Sequence, residues 1–149
     1  MKGTSKLMYM EVAKVIAASS ESKKLKVGAI AVNSSGIIGE GYNGTPSGFW
    51  TNKPEIDYGE NYHNYDTREE TIHAEMNLLM KIAKSTNSAD GCSVFCTHAP
   101  CMKCAIHLHQ AGVKEVYYNK VNPFKPDANG LDFLSTIGVK VKELNYYAV

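Results

Sequence analysis

The sequence predicts an α/β fold, a mixed sheet sandwiched between helices. Two observations predict it. Two short apolar runs near the start are joined by a four-residue turn signal, which makes a hairpin. After that hairpin, stretches with helical spacing alternate with stretches that read as strands, the pattern of a sheet whose faces are covered by helices.

In chain order, Leu7 to Ala18 places Leu7, Met8, Val12, Val15 and Ile16 near helical spacing and predicts a first amphipathic helix. Val27–Val32 is a short apolar strand, Asn33-Ser34-Ser35-Gly36 the turn, and Ile37–Tyr42 the returning strand. Thr45 to Asp66, rich in Gly, Pro, Asn and aromatics, has no clear period. A loop this long within a compact domain is usually functional or mobile. Helices are expected at about Thr71–Ala83 and Cys101–Ala111, alternating with strands at Ser93–Thr97 and Glu115–Asn119. A shorter helix at Gly130–Thr136 and a strand at Val139–Leu144 complete the chain.

The 149 residues suit one domain spanning 1–149, large enough to bury a core without staples. Net charge is +1, with Lys and Arg dispersed, which weighs against a polynucleotide partner. No apolar run approaches the roughly 20 residues that cross a bilayer, so no membrane partner is expected. The opening Met1–Lys6 is followed by no signal-peptide core, and the expected location is cytoplasmic. Cys92 and Cys96 share one face of a predicted strand, where disulfide geometry is poor, and are expected as small core residues.

Chemistry concentrates in His73-Ala74-Glu75 and Pro100-Cys101-Met102-Lys103-Cys104. One imidazole and two thiolates bind zinc while leaving its fourth position open, as catalytic sites do. Glu75 falls in line with Leu78, Leu79 and Ile82 on the buried stripe of its helix. A carboxylate there is costly unless it is paired, hydrogen-bonded or catalytic. Cys101 and Cys104 face inward from a helix's first turn, where the dipole favours thiolate. Two simpler explanations compete: a redox Cys-x-x-Cys pair, and a structural zinc closed by His98 as fourth ligand. The upstream His-x-Glu weighs against the first, and the second leaves Glu75 unexplained. His107 and His109 are expected at the surface, His63 as a loop histidine, and Lys81 and Lys84 on a solvated face.

His-x-Glu followed by Pro-Cys-x-x-Cys is the signature of zinc nucleobase deaminases. With Val27-Gly28-Ala29-Ile30, Gly41-Tyr42-Asn43-Gly44-Thr45-Pro46, His73–Asn77 and Gln110–Val113, the chain resembles the cytidine deaminase superfamily. Within it, the resemblance is to deoxycytidylate (dCMP) deaminases, phage enzymes included. It covers most of residues 20–120; the tail after about Asn122 lies outside it.

The resemblance implies a three-layer α/β/α fold with a five-stranded sheet, and hydrolysis of dCMP to dUMP and ammonia. It implies one catalytic Zn2+ per subunit on His73, Cys101 and Cys104, with Glu75 moving protons. Ala74 would read the base edge through its backbone and Asn43 would hold the deoxyribose. Tyr118 and Lys120 are candidates for the 5′-phosphate. A homohexamer activated by dCTP and inhibited by dTTP is also implied. Its effectors, with Mg2+, would meet Lys24, Lys26, Gly41, Tyr42, Asn43 and Gly44 between subunits. The location would be host cytoplasm for a phage-encoded chain. Rival expectations keep the chemistry but change the substrate to another cytosine nucleoside or nucleotide, guanine or a tRNA adenosine. A further rival is a zinc-stabilised nucleotide-binding module without catalysis.

Overall fold

A hairpin, three helix-linked strands and a helix packed across them account for most of the chain. The computed structural model describes residues 1–56, 58 and 66–145, so His63 lies outside the described residues. The elements run α1 (Gly3–Ala17), β1 (Gly28–Asn33), β2 (Gly36–Tyr42), α2 (Ala74–Ala83), β3 (Ser93–His98), α3 (Met102–Gln110), β4 (Glu115–Lys120), α4 (Leu131–Thr136) and β5 (Lys140–Glu143). Every expected element is present, and the strands form one sheet in the order β2-β1-β3-β4-β5. β1 is antiparallel to β2 and to β3, whereas β3, β4 and β5 are parallel. A short turn permits only the antiparallel pairing, and helical crossovers permit the parallel ones.

Strand alternation divides the core into two layers. Ala29, Ala31, Val94, Cys96 and Val116 face α2 and α3. Ile30, Val32, Phe95 and Tyr117 face α1, where Phe95 and Tyr117 stack at 4.8 Å. The helices therefore cover both faces, as expected for a three-layer α/β/α protein.

The apolar stripe expected for α1 holds in part, since Val12 and Ile16 pack against the core. Its buried face is Met10, Ala13 and Ala17, while Met8 and Val15 are 51% and 69% exposed. The cause is close approach: a Cβ on Gly28 would stand 2.2 Å from the Ala13 carbonyl oxygen, so small residues must face β1. On the other side of the sheet Gly41 does the same for α2. A Cβ there would lie 2.4 Å from the Ala74 carbonyl oxygen and 2.5 Å from the Leu78 nitrogen. The start of α2 can thus lie directly on β2.

α2 begins later than periodicity suggests because the residues before it are held extended. Ile72 and Gly44 exchange backbone hydrogen bonds at 2.8 and 3.0 Å. Nearby, Glu55 is bridged to Thr67 and the Arg68 N–H donates to the Pro54 carbonyl at 2.7 Å. Among the described residues, no helix is long and apolar enough to cross a membrane.

Candidate active site

Two helix starts build the site. His73 and Cys101 are the N-cap residues of α2 and α3, both extended, with φ/ψ of −67°/153° and −69°/169°. An N-cap's side chain lies ahead of the helix, and neither residue spends its side chain on capping. Both starts sit at the carboxyl edge of β2 and β3, where open α/β sheets bind ligands.

His73 Nδ1 lies 3.4 Å from Cys101 Sγ and 3.5 Å from Cys104 Sγ. The three donor atoms are all within 4.8 Å of one another. Zinc bonds of about 2.1 Å to nitrogen and 2.3 Å to sulfur, meeting near the tetrahedral angle, would separate N from S by about 3.5 Å. These residues therefore fit a zinc ion, with one coordination position left over.

The two neighbouring thiols are shifted in opposite directions. A hydrogen bond from Cys104, then one from His73, holds Cys101 down at about 3, while the same thiol pair and burial push Cys104 far up. The bond to Cys101 likewise raises His73 against the effect of burial. Thiolates are what zinc requires, and both helix dipoles favour them.

Glu75, 4% exposed, forms the inner wall. Burial pushes its carboxyl above the usual carboxylate range, opposed by its own backbone N–H at the helix start and by His73. Beneath it lies Cys96 of β3, fully buried, whose thiol is pushed well up by burial and then by the charge of the neighbouring Glu75. Cys96 is thus a core residue, as expected, and also a neighbour of Glu75 that sequence reasoning missed. The signal was its place on the same strand face as Val94, toward α2. Cys92 is core alone, raised to about 11 by burial.

A cavity of about 240 Å³ opens above His73, Ala74 and Glu75. Asn43 lines it and also ties its wall: its Oδ1 accepts the Val27 N–H at 2.9 Å and its Nδ2 donates to the Leu25 carbonyl at 2.8 Å. His98 lines it too, but pairs its Nδ1 with the Thr97 hydroxyl at 2.9 Å and stands outside the three-atom ligand cluster. Burial, then Lys120, lowers its basicity. His107 and His109 are far from the cluster in role; His107 is exposed, whereas His109 is half-buried with its ring edge on Phe133.

The remaining expected residues are distributed unevenly. Tyr118 and Lys120 do not line this cavity, and neither does Lys26, whereas Lys24 does. Gly41 packs on α2, the Tyr42 carbonyl accepts from Asn77 Nδ2 at 2.8 Å, and Gly44 pairs with Ile72. Ser22, Thr71, Phe124 and Lys125 also line the cavity and were not foreseen. Lys125 follows the last recognisable motif, in a segment without periodicity.

Three protein ligands with an open fourth position are the arrangement of hydrolytic rather than structural zinc. With Glu75 beside them on this sheet, fold and site together define a deaminase of the zinc-binding type. Residues 4–120 match the cytidine and deoxycytidylate deaminase zinc-binding region, and the chain belongs to that family.

Among solved structures, the dCMP deaminase of cyanophage S-TIM5 in complex with dCMP and dUMP is 43% identical. It superimposes with a TM-score of 0.86 over 97% of this chain and 99% of that one. The human deoxycytidylate deaminase is 36% identical over 118 residues, which are 74% of this chain and 61% of that protein. ComE operon protein 2 of Bacillus subtilis is 31% identical over 91% of this chain and 69% of its own length. The chain thus spans less than two thirds of several relatives: 61% of the human protein and 44% and 42% of the Saccharomyces cerevisiae and Schizosaccharomyces pombe deoxycytidylate deaminases.

Proposed function

We propose that the chain hydrolyses dCMP to dUMP and ammonia. The observation that carries this is the buried Glu75 carboxyl beside the His73, Cys101 and Cys104 cluster at the floor of an open cavity. The 43% identity to a phage protein crystallised with dCMP and dUMP supports the choice of nucleotide.

Zinc on His73, Cys101 and Cys104 would supply a Lewis acid that lowers the pKa of water toward neutrality. Glu75 carries the protons. It takes one from the attacking water and gives it to N3 of the pyrimidine. It then moves the second from the new C4 hydroxyl to the amino group, which leaves as ammonia while C4 becomes a carbonyl. Burial suits this task, since a raised carboxyl both accepts and returns a proton near neutral pH. The Ala74 backbone, fully buried beside Glu75, is suited to the base edge. Asn43 spends one N–H and one lone pair on the chain, leaving one of each for a deoxyribose hydroxyl.

Residues 1–149 act as one deaminase unit in this reading, with one zinc per subunit, in the cytoplasm. A homo-oligomer with dCTP and dTTP as opposing effectors, accompanied by Mg2+, is part of the proposal on family resemblance alone. The test is ammonia release from dCMP, deoxycytidine and cytosine by zinc-loaded protein, with and without dCTP and dTTP. Release fastest from dCMP is expected. A zinc-loaded protein releasing ammonia from none of them would reduce the chain to a binding module.

A further inference from the structure

Two lysines, Lys24, which the resemblance had put at an effector site, and Lys125, which was not foreseen, line the same cavity from different segments. Lys24 comes from the connection before β1, and Lys125 from the segment after β4. The walls touch at the mouth, where Lys24 Nζ sits over the Phe124 ring at 5.4 Å. Among the described lining residues the only other ionisable side chains are His73, Glu75, His98 and Cys101, which lie at the floor or are engaged there. The cavity therefore has an acidic and metal-binding floor and a cationic rim.

The Lys24 backbone is fixed by a buried anion. Glu55, 6% exposed, accepts the N–H groups of Lys23 at 3.0 Å and Lys24 at 3.1 Å, and the hydroxyl of Ser22. A run of backbone N–H groups around one anion is a nest, which proteins usually offer to phosphates. Here the chain's own carboxylate fills it. That leaves the Lys24 side chain, not the nest, to face the cavity.

We propose that Lys24 and Lys125 form a two-sided clamp for the 5′-phosphate of the substrate, and that Glu55 is the positioning residue that holds Lys24 in it. This rests on the deaminase reading above and narrows it to nucleoside monophosphates. A phosphate monoester carries nearly two charges at pH 7 and three strong acceptor oxygens, a match for two ammonium groups. On binding, Lys24 exchanges its contact with the Phe124 ring for phosphate oxygen.

The test uses full-length zinc-loaded protein and the variants Lys24→Gln, Lys125→Gln, Glu55→Gln and Lys24→Gln with Glu55→Gln. Each lysine variant is expected to raise KM for dCMP at least tenfold with zinc content intact. It should also weaken binding of dUMP, measured by calorimetry, far more than that of deoxyuridine. Glu55→Gln is expected to raise KM severalfold alone and to add little in the Lys24→Gln background, because it acts through that lysine. Equal losses for dUMP and deoxyuridine would overturn the clamp. An equal Glu55→Gln effect in both backgrounds would overturn the positioning role. If the wild type turns over no cytosine compound, the deaminase reading falls, and the dUMP and deoxyuridine titrations still decide the clamp.

Discussion

His73 Nδ1 and Cys104 Sγ lie 3.5 Å apart although 31 residues separate them in the chain. The contact joins α2 to α3 across the sheet edge, so a metal held there ties two helix starts together. Removing one ligand should therefore lower stability as well as metal content. For Cys104→Ala, metal analysis after dialysis should show loss of zinc, and a thermal melt should show a lower midpoint. Full zinc occupancy with unchanged activity would remove Cys104 from the ligand set and point to His98.

Gly41 should prove intolerant of any side chain. Gly41→Ala places a methyl group 2.4 Å from the Ala74 carbonyl, and backbone cannot swing aside as a side chain would. Overpacking of this kind typically costs 1–3 kcal/mol. The displaced element also carries His73 and Glu75, so urea unfolding and zinc titration should both register the change. A variant with wild-type stability and zinc affinity would mean that α2 can shift without disturbing the site.

Much of this architecture was legible because it rests on local signals. Period-2 and period-3.6 patterns located every strand and helix, and Cys101 and Cys104 share a helix turn whose spacing alone suggests a metal. What was not legible depends on distant segments meeting. Met10, Ala13 and Ala17 were missed at the centre of the buried face of α1 because the constraint comes from Gly28, outside that helix. Tyr118 and Lys120 were expected near the phosphate because they end a strand beside the site. The chain after β4 instead crosses back, with the Gly130 N–H donating to the Pro100 carbonyl at 2.8 Å, and brings Phe124 and Lys125 to the cavity. Glu55 carries no motif at all; its importance appears only when Ser22, Lys23 and Lys24 are seen around it.

Cys96 offers a test of how Glu75 is held. Cys96→Val keeps a similar apolar volume but removes the thiol next to the carboxylate. Hydrogen bonds to charged groups contribute about 1.5–3 kcal/mol, so kcat should fall by about tenfold or more if the thiol donates to the carboxylate and orients the proton carrier. KM should change little, since Cys96 is fully buried beneath Glu75. Steady-state kinetics on dCMP provide the check, and an unchanged kcat would leave Cys96 with packing alone.

The central claim is that Glu75 moves the protons of a hydrolytic deamination, and Glu75→Gln tests it most directly. The amide keeps the shape of the side chain and removes a buried charge, so the variant should fold with stability no lower than the wild type and bind zinc fully. Because an amide cannot shuttle protons, turnover of dCMP should fall by at least 10²–10⁴-fold, the usual contribution of a general acid–base group. The measurement is ammonia release by the zinc-loaded variant under saturating dCMP. A rate within about tenfold of the wild type would contradict the account, for it would leave the buried carboxylate without a part in the chemistry.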